Sequence, residues 1–191
     1  MTAGALRNQV YKLLMTQRVA AYPYPPYGHH PNFTGAAQAA GRLIETLMAR
    51  RLIRVGETAL SFPDYVLKPL RKALLDAGVN VVVPSQYQTA YRYLAAGRVN
   101  AKAASSIAGA ERLGERIATL PKCRLICLAG VVFDRRGRVL GKGYGFRVPE
   151  AAATLPAVAL CHDLQMVDNL PQWDGEVVLL ATPTQVHEAK K

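Results

Sequence analysis

The sequence predicts an α/β fold, a three-layer α/β/α arrangement around a mostly parallel central sheet. Short, largely apolar runs at Val79–Val83, Leu125–Phe133, Ala157–Leu160 and Val177–Ala181 alternate with stretches of helical periodicity. Strands buried on both faces read as continuous apolar runs, because helices cover both sides of a parallel sheet. The chain has 191 residues, half of them hydrophobic, enough for one domain over 1–191 with a sizeable core. No internal repeat or low-complexity linker divides it.

Each element follows from its residues. Leu6, Val10, Leu13 and Leu14 predict a helix over 5–20. The prolines of residues 21–31 forbid a regular helix and favour extended geometry. Thr34 is the expected N-cap of a second helix, whose stripe is Ala37, Ala40, Ile44, Leu47 and Met48. Leu52–Val55 reads as a short strand and Ser61–Asp64 as a loop. Residues 65–77 read as a helix that Asp64 caps and Gly78 stops. Val79–Val83 is β-branched and ends at Pro84. A helix is expected near 102–118, and a single strand over Leu125–Phe133. A turn at Asp134–Gly137 returns through Arg138–Leu140 as a hairpin. Ligands of such sheets bind where loops leave the carboxyl ends of the strands. Three loops qualify: Phe62–Asp64, Pro84–Gln86 and Gly137–Phe146.

Composition narrows the function classes. There is no apolar run of about 18 residues, the length a transmembrane helix needs. Residues 1–9 lack a basic start followed by an apolar block, so the cytoplasm is the expected location. Three cysteines make no disulfide framework. The spacing of Cys123, Cys127 and Cys161-His162 matches no common zinc pattern, so no metal site is assigned. Residues 1–141 carry 20 basic and 7 acidic side chains, and 142–191 carry 4 and 6. That basic balance favours anionic partners such as nucleotides, polyglutamate tails or nucleic acid.

The sharpest chemical feature is Gly141-Lys142-Gly143-Tyr144-Gly145. Glycines let main-chain amides approach an anion, and Lys142 adds a charge suited to phosphate. No Lys-Ser or Lys-Thr follows, so this is not a P-loop. Tyr22, Tyr24, Tyr27 and Phe33 offer flat surfaces for a heteroaromatic ring, His29 and His30 are candidate ligand contacts, and Asp64 offers a carboxylate to amide or amine groups. No Ser-His-Asp or Cys-His set appears, which argues against covalent catalysis.

Several segments together resemble one family. In order they are Leu6-Arg7, Tyr22-Pro-Tyr-Pro25, Pro31-Asn-Phe-Thr-Gly-Ala36, Leu125–Ala129 leading to Gly130–Asp134, Gly141–Phe146, His162-Asp-Leu-Gln165 with Asp168, and Thr182-Pro-Thr184. They resemble the 5-formyltetrahydrofolate cyclo-ligase family, also called methenyltetrahydrofolate synthetase, and most closely its divergent domain-containing branch. The resemblance implies an ATP-dependent, ring-closing C–N ligase of one-carbon metabolism. ATP phosphorylates the formyl oxygen of 5-formyltetrahydrofolate, the neighbouring aniline nitrogen attacks the activated carbon, and phosphate leaves as 5,10-methenyltetrahydrofolate forms. It implies nucleotide contacts from Arg7, Arg138, Gly141, Lys142, Gly143, Tyr144, Gly145 and Phe146. Lys142 and Arg147 are the implied catalytic charges, and Asp64, Phe33 and Gln165 the implied folate contacts. Reduced folate and ATP are the implied small-molecule partners, with Mg²⁺ offsetting phosphate charge. The chain departs from the family in three places. It has Pro84-Ser85 where Pro-Arg is usual and Val139-Leu140-Gly141 where Arg-Leu-Gly is usual, with Arg138 one place early. Phe146-Arg147-Val148 replaces an ending in Tyr-Asp, which removes an acidic Mg²⁺ ligand. A catalytically lapsed or repurposed folate- or nucleotide-binding protein is therefore the alternative. An RNA-associated role, resting on the basic balance and on Tyr87, Tyr91 and Tyr93 beside Arg92 and Arg98, is a third reading.

Overall fold

The computed structural model describes residues 2–85, 89–143 and 148–189. Helix α1 (Ala3–Thr16) starts at Thr2, whose hydroxyl accepts from the Ala5 amide at 3.2 Å, and it buries Val10, Tyr11 and Leu14. Strands β1 (Ala20–Ala21) and β2 (Asn32–Phe33) pair antiparallel and bracket the proline-tyrosine strap. Helix α2 (Ala36–Ala49) is capped by Gly35 at φ 99°, not by Thr34. Gly35 is needed there, because a Cβ would come within 2.7 Å of Pro183 Cγ. The buried stripe is Ala36, Ala39, Ala40, Leu43 and Leu47, with Ile44 and Met48 on its flank and Ala37 facing out.

The strand expected at Leu52–Val55 is a turn. The Leu52 amide closes on Leu47 O at 2.9 Å, and Ile53 alone drops into the core. The strand comes later, as β3 (Thr58–Ser61). A 3₁₀ turn at Tyr65–Leu67 leads into α3 (Lys68–Asp76), and Gly78 at φ 77° stops it. Next come β4 (Asn80–Pro84), β5 (Tyr91–Leu94), α4 (Ala101–Ala104), α5 (Ile107–Leu113) and β6 (Glu115–Ile117). The single helix expected near 102–118 is split, because Ser106 Oγ accepts from the Gly109 amide at 2.9 Å and restarts the chain as a new helix.

The apolar run Leu125–Phe133 is two strands, β7 (Leu125–Leu128) and β8 (Val132–Asp134). They part at Gly130, where a Cβ would meet Val139 Cγ1 at 2.5 Å and Phe133 Cζ at 2.7 Å. Then follow β9 (Arg138–Leu140), β10 (Ala157–Leu160), β11 (Met166–Val167), β12 (Gly175–Glu176), β13 (Leu179–Ala181) and β14 (Val186–Glu188).

The large sheet has the order β14-β13-β10-β7-β3-β4-β5-β6. Strands β13, β10, β7, β3 and β4 run parallel, and β14, β5 and β6 are antiparallel edges. The expected α/β architecture with a mostly parallel centre is thus present. Ala59, Val81, Leu125, Val158 and Leu179 pack under α2, α3 and the α4–α5 pair. Leu60, Val82, Ile126, Ala159 and Leu180 face the other way, onto Phe133 and Val139 of a small sheet ordered β11-β8-β9-β12. Helix α1 covers the far side of that sheet through Val10, Tyr11 and Leu14 against Val132 and Leu140. The chain runs outward from β3 to β4, β5 and β6, then returns to β7 on the other side of β3. The topological switch point, where ligands of open α/β sheets bind, therefore lies between β3 and β7.

The β8–β9 turn is held by a buried ion pair. Asp134 accepts from Arg138 Nε at 2.7 Å and from the amides of Arg136, Arg138 and Leu170 at 2.9, 3.1 and 3.0 Å. Burial pushes the Asp134 carboxyl up, but the Arg138 bond and these amides more than offset it and hold it below 3.8. A carboxyl held lower in the folded chain stabilises it above its unfolded value, and that stability is lost as pH falls through the depressed folded value. Asp134→Ala is expected to cost about 3–5 kcal/mol in urea denaturation at neutral pH, since it leaves Arg138 buried without its partner. The difference from the parent should shrink as the pH is lowered below 3.8.

Candidate functional site

The loop Phe62–Asp64 leaves the carboxyl end of β3 at the switch point, and a buried arginine shapes it. Arg71, on α3, is fully buried. Its Nε donates to Ser105 O at 2.7 Å, Nη1 to Phe62 O at 2.8 Å and Nη2 to Asp64 O at 3.2 Å. One guanidinium thus ties the β3 loop to the end of α4. Burial pulls Arg71 down to about 10, against the opposing charge of Asp64. Leu67, Leu70, Leu74 and Leu75 surround it in sequence and are all buried, so its position on the apolar stripe was the available signal.

The Asp64 carboxylate does not cap the following turn. It accepts from His30 Nδ1 at 2.9 Å instead, which fastens the strap over the end of β3. Burial alone would raise the Asp64 carboxyl. The His30 bond and the charges of His30, Lys142 and Arg71 outweigh it, so Asp64 lies below 3.8 and is ionised at neutral pH. Above it the strap presents exposed Tyr22, Tyr24 and Tyr27, with Tyr22 edge-on to Tyr65 at 5.1 Å. Tyr11 donates to His29 O at 2.9 Å and anchors the strap to α1.

The start of the glycine loop meets the same place from the small sheet. The Lys142 charge acts on Asp64. Arg7, on α1, donates through Nε to Gly141 O at 2.5 Å, and its Nη2 lies 3.7 Å from Asp174. The Gly141 amide, expected to face an anion, instead donates to Asp174 Oδ2 at 2.8 Å. Among the described residues no internal hydrogen bond occupies the amides of Lys142 and Gly143. Gly143 has φ 112°, a conformation glycine adopts readily, beside the Arg7 guanidinium. Tyr144, Gly145, Phe146 and Arg147 lie outside the described residues.

Three expected contacts have framework roles. Arg138 is held by Asp134 and by Asn169 Oδ1 at 2.7 Å, with Trp173 stacked 4.6 Å from its guanidinium, at the far end of β9 from Gly141. Gln165 is buried; it donates to Gly130 O at 3.2 Å and Val131 O at 3.0 Å, and accepts from the His162 amide at 2.8 Å. It therefore pins the β7–β8 crossover. Phe33 is a core side chain set edge-on to His162 at 5.6 Å. The three thiols are buried, and burial pushes Cys123 up to about 11 and Cys127 up to about 12, so neither is a thiolate nucleophile at neutral pH.

The arrangement pairs a fixed anion, Asp64, suited to hydrogen-bond donors on a heterocycle, with cations Lys142 and Arg7 and an open main-chain amide suited to phosphate. No group of three or more His, Cys, Asp or Glu side chains gathers to hold a metal among the described residues, and no helix among them is long and apolar enough to cross a membrane.

Comparison with known proteins places this fold. Two curated relatives, from Mus musculus and Bos taurus, are each called methenyltetrahydrofolate synthase domain-containing protein. Each is 25% identical to this chain, over 95% of its length and over 54% and 52% of theirs respectively. The chain thus spans about half the length of the curated relatives it matches. The solved 5,10-methenyltetrahydrofolate synthetase of Aquifex aeolicus shares the fold, with a TM-score of 0.60 at 18% identity over 100% of this chain and 94% of that one. The family model described as the 5-formyltetrahydrofolate cyclo-ligase family matches residues 4–183, and on that match the chain belongs to the 5-formyltetrahydrofolate cyclo-ligase family.

Proposed function

We propose that the chain is an ATP-dependent cyclo-ligase that closes 5-formyltetrahydrofolate to 5,10-methenyltetrahydrofolate at the Asp64 end of β3. The observation that carries this reading is the His30-bound Asp64 carboxylate at the switch point of the sheet, on which the Lys142 charge acts. Asp64 accepts hydrogen bonds from the amino and ring N–H groups of a pterin and fixes its orientation. The exposed tyrosines of the strap cover the ring. Lys142 draws the γ-phosphate toward the formyl oxygen, and the Lys142 and Gly143 amides take its oxygens. Phosphoryl transfer consists largely of positioning and charge compensation, which this set supplies. The formyl oxygen takes the phosphoryl group and ADP departs. The aniline nitrogen then bonds to the carbon and loses its proton, and the C–O bond breaks to release phosphate. Mg²⁺, when bound, offsets the charge of the phosphates. No group of three or more His, Cys, Asp or Glu gathers among the described residues, and an ion that arrives on the phosphates of ATP needs no such group.

The assay follows the absorbance of the methenyl product. ATP-dependent turnover is expected from the parent protein, and Lys142→Met should lower it by roughly a hundredfold or more. Absence of turnover by the parent overturns the ligase reading. A second reading, a folate- or nucleotide-binding protein without turnover, is favoured by the Asp174 contacts, which occupy the Gly141 amide and draw on Arg7. Calorimetry separates the two: binding of both ligands without product supports the second, and binding of neither ends both.

A further inference from the structure

We infer that the cavity between the edge strands β11 and β14 is a binding site for a small α-amino acid, with Asp163 and Asp168 as its anions and Arg135 as its cation. Strand β14 is one edge of the large sheet, and β11 is one edge of the small sheet. The cavity has a volume of about 250 Å³. That is well above the roughly 30 Å³ of a single water and below the roughly 300–1,000 Å³ of a drug-sized site. Strand β14 lies four places along the sheet from β3, about 19 Å at the usual strand spacing. The cavity is therefore separate from the Asp64 loop.

The walls carry both signs of charge. Arg135 comes from the β8–β9 turn, Asp163 follows β10 and Asp168 follows β11. None of the three has an ion-pair partner among the described residues. Thr182 and Thr184 donate to Asp163 Oδ1 at 2.7 and 2.6 Å, which sets the carboxylate in place. His187 lines the cavity from β14, and its Nε2 is buried without a hydrogen-bond partner among the described residues. Buried polar nitrogens in folded chains almost always have a partner, and a group bound in the cavity supplies the missing one. Burial and the Arg135 charge hold His187 below its usual 6.5, against the opposing charge of Asp163. At neutral pH the imidazole is therefore uncharged, and Nε2 is free to accept.

A lone cation in this cavity would leave Arg135 unpaired, and a lone anion would face two carboxylates. An α-amino acid satisfies both sides. Its ammonium donates to the carboxylates and to His187, and its carboxylate accepts from the Arg135 guanidinium. Met166 and Val167 add an apolar wall, and the volume limits the ligand to a small side chain. The acids and the imidazole do not gather as a metal site does among the described residues.

The test is titration of the parent, Arg135→Gln and Asp168→Asn with glycine, L-serine, methylammonium chloride and sodium acetate, followed through the imidazole signals in NMR. The chain has four histidines, and His187→Gln identifies the His187 signal by its loss. In the parent, glycine and serine should move that signal with a dissociation constant of roughly a millimolar. Methylammonium and acetate should each bind at least about tenfold more weakly. Arg135 and Asp168 are exposed, so both variants should melt with the parent. Each variant should weaken glycine about tenfold. Arg135→Gln should not weaken methylammonium, and Asp168→Asn should not weaken acetate. A His187 signal that glycine and serine leave unmoved well above that constant overturns the inference and assigns the cavity to water. Acetate or methylammonium binding as tightly as glycine shows a plain anion or cation site, and overturns it as well. So does a glycine affinity unchanged in both variants. Methenyl formation is read in a separate assay, so failure here leaves the ligase reading as it stands.

Discussion

Asp64→Asn is expected to lose roughly ten- to a hundredfold in affinity for 5-formyltetrahydrofolate and to melt below the parent at neutral pH, because the folded chain holds the Asp64 carboxyl low beside His30 and Arg71. The substitution keeps the shape of the side chain and an oxygen that accepts from His30. It removes the negative charge that charge-assisted hydrogen bonds from a pterin require, and such bonds are worth about 1.5–3 kcal/mol each. His30, Lys142 and Arg71 hold the carboxyl below 3.8 against its burial. The part of the affinity that depends on its charge should therefore persist from neutral pH down past 3.8, and fail only as pH drops through the depressed value. Calorimetry at two pH values checks both statements. Unchanged affinity in Asp64→Asn removes the carboxylate from the site.

A stability effect as large as that of Asp134→Ala is expected at Arg71. Arg71→Ala leaves the buried Ser105 carbonyl and the partly buried carbonyls of Phe62 and Asp64 without their donor. Each unsatisfied buried group costs about 1–3 kcal/mol before relaxation, so a loss of about 3–5 kcal/mol is expected in urea denaturation. The Asp64 loop loses its tether in the same step, so folate affinity should fall even under conditions where the variant remains folded. Arg71→Lys keeps a charge but cannot span three carbonyls, and should fall between the two. A denaturation midpoint unchanged in Arg71→Ala contradicts the assigned role.

Much of the fold is written in local pattern. The helix over Ala3–Thr16, the stop at Gly78 and the strand Ala157–Leu160 follow from periodicity, glycine and β-branched or apolar runs. The failures have two physical causes: a distant contact that overrules a local signal, and a local turn or cap that competes with it. Leu125–Phe133 reads as one strand because nothing local reveals that Val139 and Phe133 crowd Gly130 and send Val132–Asp134 into a second sheet. Leu52-Ile53 reads as a strand because it is apolar, yet one buried side chain in a turn, Ile53, accounts for that pattern.

The site divides in the same way. Loop position and charge point to Asp64 and Lys142 and the resemblance to Arg7; in the structure the Lys142 charge acts on Asp64, and Arg7 donates to Gly141 O. Contacts from Arg138 and Gln165 are implied only by the resemblance; in the structure their groups satisfy buried carbonyls, a carboxylate and an amide. Arg71 and His30 show the reverse. No motif singles out Arg71, and His30 reads only as a candidate ligand contact; their partners lie 34 residues away in sequence at Ser105 and Asp64 respectively.

The most direct measurement is a crystal structure of the protein with 5-formyltetrahydrofolate and a non-hydrolysable ATP analogue. The pterin should lie within hydrogen-bond distance of the Asp64 carboxylate beneath the tyrosine strap, with the γ-phosphate on Lys142 and the Gly143 amide. A pterin bound away from Asp64, or phosphates that leave Lys142 untouched, would contradict the account.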